Sequence, residues 1–326
     1  MNSKTTTLGG RFTALGKNQV AMALVLSLLL FGLNVLINPK SFNPNAFGTI
    51  LSLTFMLTIA AAGQTLVVIS DGIDMSVGSI MSMTALITVS TMRSREDVQY
   101  FFITFLLSIV MGALVGFING VGAVKIGLPP MIVTLCVSNV VTRLQYVFTN
   151  GKPTGTAAKW FSATVNHRMF GIIPTSIFYA LLVFAIVFYM LNRSNFGQHL
   201  FLSGNNERAA FLTGIKTVRV KMFNYTLAGL LSGIAGWVGA GYMNFVMCQA
   251  FDNYTMTSIV SVVVGGTLLV GGKGSYIGTA AGALLMVVLS NFLAVLDLPQ
   301  ALRDLITGIV LIVLLVAYNR EKPVRQ

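Results

Sequence analysis

The chain has 326 residues, 55% of them hydrophobic and only 9% charged, with a mean hydropathy of +0.81. A water-soluble domain needs about 25% charged residues to cover its surface, and a disordered chain carries far less apolar content, so both classes are excluded. The net charge of +12, from 21 Lys and Arg against 9 Asp and Glu, fits basic loops on the cytoplasmic side of a membrane and requires no nucleic acid partner.

Apolar stretches fall near 20–37, 48–69, 77–92, 100–122, 130–149, 172–191, 222–246, 257–270, 276–296 and 303–318. A span uses roughly 20 residues, so these ten predict an all-α polytopic integral membrane protein with no room for a separate catalytic domain. The eighth stretch is the shortest. The predicted division is a cytoplasmic tail at 1–19, a membrane domain at 20–318 and a second cytoplasmic tail at 319–326. Lys4, Arg11 and Lys17 precede the first stretch, and Ile37-Asn38-Pro39-Lys40 follows it without a small-residue cleavage site. It therefore reads as an uncleaved anchor. With the N-terminus inside, thirteen Lys and Arg fall in cytoplasmic segments and seven outside, with Arg143 inside a span. That bias predicts both termini in the cytoplasm. The lipid bilayer itself is the first implied partner.

Within the spans, Asp71-Gly72-Ile73-Asp74-Met75-Ser76-Val77-Gly78 interrupts an apolar run from 48 to 92. Carboxylates beside hydrocarbon are costly unless they cap a helix, pair, or face water. Asp74 or Ser76 as a helix cap is one reading, and a broken helix bordering a transport pathway is the other. Gly112, Gly116 and Gly120, Gly229 and Gly233, and Gly278 and Gly282 each repeat every four residues, which predicts close helix packing within the chain. Arg143 shares the fifth span with Asn139, Thr142 and Gln145. Snorkelling to the outer interface and lining a polar passage both remain open for it. The thiols of Cys136 and Cys248 are expected to be buried and unpaired.

Two loops are long. Residues 150–171 lie outside and carry Lys152, Trp160 and His167. Residues 192–221 lie inside, where Gly204-Asn205-Asn206-Glu207-Arg208-Ala209-Ala210-Phe211-Leu212-Thr213-Gly214-Ile215 reads as a short helix. Asn205 or Asn206 suits its N-cap, Glu207 its first turn, and Gly214 the position just past its end. Residues 267–275 imitate a phosphate loop, but Thr267 and Gly274 stand where that motif needs glycine and a hydroxyl. They read instead as a tight turn, and ATP hydrolysis in this chain is not expected. No nucleophile–base–orienter set is visible, since His167 and His199 fall on opposite sides, so no catalytic residue is assigned.

Gly72-Ile73-Asp74-Met75-Ser76-Val77-Gly78 resembles the signature of permease subunits from bacterial ABC importers of monosaccharides, the ribose, xylose, galactose and arabinose type. Gly116–Gly120, Leu128–Leu135, Arg143, Thr149-Asn150-Gly151, the 204–215 run and Val263–Ser275 agree in the same order. The resemblance implies a type II-like permease fold of ten helices and an inner-membrane location. It implies a second permease subunit, identical or homologous. Cytoplasmic ATP-binding subunits would hold ATP and Mg, and a periplasmic or lipid-anchored solute-binding protein would deliver substrate. It assigns Gly204–Ala210 and Gly214 to ATPase coupling. Asp74, Ser76, Asn119, Asn139, Thr142 and Arg143 are the candidate pathway residues. This chain departs from the pattern at Asp71, where glycine is usual, at Leu144, at Met131, and at Thr255 and Thr257, where acidic residues are common. The expected activity is ATP-driven import of a small polar solute, most simply a monosaccharide. A nucleoside or furanose-like signal, or a stand-alone ion-coupled transporter using Asp71 or Asp74, are the alternatives.

Overall fold

The structure is a computed structural model that describes residues 19–152 and 154–318. Residues 1–18 of the tail expected at 1–19 and all of the tail expected at 319–326 lie outside the described residues, as does Pro153. Each of the ten apolar stretches forms a helix: α1 (Gln19–Ile37), α2 (Pro44–Ile69), α3 (Val77–Met92), α4 (Val98–Gly120), α5 (Pro130–Thr149), α7 (Ser176–Arg193), α10 (Thr217–Met243), α11 (Asn253–Val264), α12 (Tyr276–Val295) and α13 (Gln300–Tyr318). Three shorter helices, α6 (Lys159–Asn166), α8 (Asn195–Asn205) and α9 (Glu207–Leu212), sit in the two long loops. Seven of the ten are long and apolar enough to cross a membrane alone.

Helices α2 and α10 form the centre. Asn43 starts α2, its side chain accepting the Ala46 N–H at 2.8 Å ahead of Pro44 at the first helical position. From Met56 to Ile69 every residue of α2 is buried, because it is surrounded by protein instead of lipid. α10 crosses α4 at a contact made by glycines. A methyl group at Gly112 would collide with the carbonyl oxygen of Gly229, and one at Gly116 with that of Tyr225. Gly278 and Gly282 of α12 meet Gly265 and Ser261 at the end of α11 in the same way. The glycine repeats thus pack helices inside one chain, as their spacing predicts.

One end of the bundle carries α9 and the other carries α6. At the α6 end, Glu96 accepts the backbone N–H of Lys159 at 3.1 Å, and Trp160 Nε1 donates to the Glu96 carbonyl at 3.0 Å. Phe101 meets buried Trp237 edge to face and Phe161 lies tilted against it, with centroids 4.8 and 4.6 Å away. This aromatic cluster holds α6 rigidly on the core.

The structure corrects two sequence-based expectations. The eighth span is α11 at 253–264, not 257–270, and its 12 residues reach only about 18 Å across a core of about 30 Å. The irregular segment 244–252 covers the rest, descending to the start of α3. There the Phe251 N–H donates to Ser82 Oγ at 3.0 Å and the Gly78 N–H to Thr255 Oγ1 at 2.9 Å. The all-α expectation stands: the one pairing among the described residues, Arg168–Met169 with Ile173–Pro174 around a turn in which Phe170 and Gly171 both have positive φ, involves two residues on each side. The cysteines are free, but Cys136 is exposed on α5 and Cys248 is half-buried. The short helix expected in 204–215 is present as α9, with Asn206 as its N-cap and Gly214 just past its end, while Gly204 and Asn205 close α8.

Candidate functional site

The break between α2 and α3 begins with a Schellman C-cap. The Gly72 N–H donates to Val67 O and the Asp71 N–H to Val68 O, both at 3.1 Å, with Asp71 in the left-handed region at φ 62°. That is the position where glycine is preferred, and aspartate is among the few residues that tolerate it. The geometry accounts for the usual glycine at this position and admits Asp71 in its place. Partial burial raises its carboxyl above the usual range, Lys221 opposes that shift, and Glu207 adds to it.

Asp74, Ser76 and Asn119 come together as a fully buried polar node. Asp74 Oδ1 accepts from the Ser76 N–H at 2.8 Å and from Ser76 Oγ at 2.6 Å, and Asn119 Nδ2 donates to Ser76 Oγ at 2.8 Å. Neither side chain caps α3 directly. That role passes to Thr255 of α11, which accepts the Gly78 N–H. Thr134 of α5 accepts the Met75 N–H at 3.0 Å, so α5 is also fastened to the break. Beside the node, Asn224 Nδ2 donates to Leu66 O and Ser70 Oγ at 2.9 and 2.8 Å, and Tyr225 presses its hydroxyl against Gly72. Sequence reading gave no role to Thr134, Asn224 and Tyr225, because each sits in or beside a strongly apolar window, and marked Thr255 only as a departure from the usual acidic residue.

The remaining pathway candidates on α5 lie apart from that node. Thr142 is buried, whereas Asn139 and Arg143 are exposed on a stripe with Ile132, Cys136, Val140 and Val147. Gln145 points inward, its Nε2 donating to Ser79 O at 3.1 Å while its Oε1 accepts the Gln249 N–H at 3.0 Å. α5 therefore divides into a face locked onto α3 and the descending segment, and a free face carrying two polar groups.

At the α9 end, Asn206 is the N-cap, accepting the Ala209 N–H at 3.0 Å. Gly214, at φ 88°, closes α9 by a second Schellman motif through Gly214 N–H to Phe211 O and Ile215 N–H to Ala210 O. Ala210 is buried beneath the helix, while Glu207, Arg208 and Ala209 are exposed. Phe211 and Leu212 are 67% and 85% exposed, an apolar pair presented at a polar end of the bundle. The segment is anchored by backbone. A methyl group at Gly204 would collide with the carbonyl oxygen of Ile69, and the Gly272 N–H donates to that same oxygen at 2.9 Å. Gly271 and Gly272 form the turn with φ of 75° and 73°, and a Cβ on Gly272 would stand 2.8 Å from Asn205 Cα. Three chain segments, 69–72, 204–205 and 271–272, thus meet where α2 ends and α9 begins, in contact largely through backbone and Cβ atoms that cannot rotate away.

A bundle of apolar helices with a buried polar break and a surface helix fixed to that break defines a multi-pass membrane transport subunit. The family described as "Branched-chain amino acid transport system / permease component" matches residues 46–315, and the chain belongs to it. It is a transport subunit, not an enzyme. Among curated relatives, the chain is 31% identical to the ribose import permease protein RbsC of Haemophilus influenzae over 95% of this chain and 94% of the relative. It is 32% identical to the RbsC of Bacillus subtilis over 88% of each chain. It is 30% identical to the fructose import permease protein FrcC of Rhizobium meliloti, over 90% of this chain and 82% of that one. No solved structure matches.

Proposed function

We propose that this chain is the membrane-spanning subunit of an ATP-driven monosaccharide importer in a bacterial inner membrane. In this reading the α9 end and both termini face the cytoplasm, and α9 couples the chain to ATP-binding subunits. The observation that carries it is the backbone junction of Ile69, Gly204 and Gly272. Any displacement of α9 by an ATPase reaches the Asp71–Ser76 break directly, because packed backbones transmit shifts as rigid bodies. Phe211 and Leu212 supply the apolar contacts of that docking surface. The free stripe of α5, with Asn139 and Arg143, faces a second permease subunit across the passage, and a periplasmic binding protein docks at the α6 end. ATP and Mg belong to the partner subunits. The names of the ribose and fructose import relatives support a monosaccharide as cargo.

Leu212→Glu tests the docking role without disturbing the core, since Leu212 is almost fully exposed. The variant is expected to fold and reach the membrane but to lose copurifying ATPase and sugar uptake. Full uptake with ATPase retained contradicts the assignment of α9.

A further inference from the structure

Between α9 and the helix break lies a cavity of about 410 Å³ lined by Asp71, Glu207, Lys221 and Tyr225, with Leu128 and Pro129 on its apolar side. The exposed charges around this end of the bundle are otherwise basic: Lys125, Arg193, Arg208, Lys216, Arg219 and Lys273. Among the described residues, its two exposed carboxylates, Asp71 and Glu207, both line this one cavity. Lys221 Nζ bonds Glu207 at 2.8 Å. Two carboxylates against one ammonium leave the lining with one net negative charge. Tyr225 is 2% exposed, its hydroxyl lies against Gly72 beside Asp71, and that hydroxyl has no hydrogen-bond partner among the described residues. A buried hydroxyl without a partner is costly, and here it borders a cavity with a surplus carboxylate.

We infer that this cavity is a socket for one basic side chain of the ATP-binding subunit, and that its chemistry selects an arginine guanidinium. The inference rests on the docking of an ATPase at α9. A guanidinium is planar, weakly hydrated and rich in donors. It can place two N–H groups on the Asp71 carboxylate and a third on Tyr225 Oη, with its flat face against Leu128 and Pro129. An acidic socket in a basic face also fixes the orientation of the partner, because a misplaced basic surface meets only like charge. Asp71, which the sequence marks as a departure from the usual glycine, thereby gains a role that backbone geometry alone does not require.

The test uses the assembled permease–ATPase complex in lipid nanodiscs, with the dissociation rate of the ATP-binding subunits as readout. Asp71→Asn and Asp71→Gly both tolerate the left-handed backbone. Each is expected to speed dissociation about tenfold or more, the change for losing a charge-assisted hydrogen bond. Tyr225→Phe is expected to give a smaller acceleration in the same direction. A photoreactive benzophenone side chain in place of Leu128 is expected to form an adduct with the ATP-binding subunit. Unchanged dissociation in both Asp71 variants, or adducts confined to the permease, overturns the socket. If Leu212→Glu releases the ATPase while the Asp71 variants hold it normally, the socket alone fails. If the wild-type chain binds no ATPase, the docking reading fails with it.

Discussion

Gly229→Ala adds one methyl group at the crossing of α4 and α10. There an ideal Cβ collides with the carbonyl oxygen of Gly112 and stands 2.8 Å from both Cα and N of Gly116. Carbon atoms pack best at roughly 3.5–4.0 Å, and every offended atom is backbone, so no side chain can rotate away. The two helices must separate by roughly 1 Å, which also loosens the neighbouring contacts of Gly233 with Ser108 and Gly116 with Tyr225. Overpacking of this kind costs about 1–3 kcal/mol, and a backbone-to-backbone clash belongs at the upper end. Alanine recovers about 1 kcal/mol of helix propensity, leaving a net loss of about 2 kcal/mol. The assay is unfolding in detergent micelles, with Gly32→Ala of α1 as control, because a Cβ there meets nothing within 4 Å. Gly229→Ala as stable as Gly32→Ala would refute the packing argument.

Three further expectations follow from the site. Asp74→Leu removes the acceptor of two Ser76 hydrogen bonds, which costs about 1–3 kcal/mol for the stranded donors. Sugar uptake should fall even where the complex still assembles, and wild-type uptake would reduce Asp74 to packing. Gly204→Val forces α8 off Ile69 and is expected to leave ATP hydrolysis running while transport stops, so coupled transport in that variant would contradict the junction. With Cys136 and Cys248 replaced by serine, cysteines at 139 and 143 should react with a water-soluble methanethiosulfonate in the assembled importer, whereas one at Val110 of α4 should not. Reactivity at 139 and 143 as low as at 110 would place the α5 stripe against lipid.

The ten-helix architecture was legible because the bilayer enforces it: each span must be long and apolar to satisfy its backbone. The ends of α9 were legible too, since Asn206 and Gly214 are the residue types that the two termini demand. The descending segment 244–252 was not. Phe245, Val246 and Met247 read as the end of one span, and what takes them out of a helix is tertiary: Ser82 accepting the Phe251 N–H and Gln145 accepting the Gln249 N–H. The polar node was half legible. Asp74 and Ser76 announce themselves by interrupting an apolar run, while Asn224 and Tyr225 are diluted within one. Asp71 shows the converse case, in which an unexpected residue type pointed to a backbone position that needs positive φ. Asn139, Thr142 and Arg143 looked alike as polar residues in one span, and only the orientation of α5 separates the buried threonine from the exposed pair.

The central claim is that force enters this chain through α9 and reaches the Asp71–Ser76 break through the Ile69–Gly204–Gly272 junction. It is tested most directly by proteoliposomes that contain the permease with or without its ATP-binding subunits and are supplied with the loaded binding protein. The account expects accumulation of sugar only with the ATPase and ATP present. Accumulation by the permease alone, driven by a proton or sodium gradient, would contradict it.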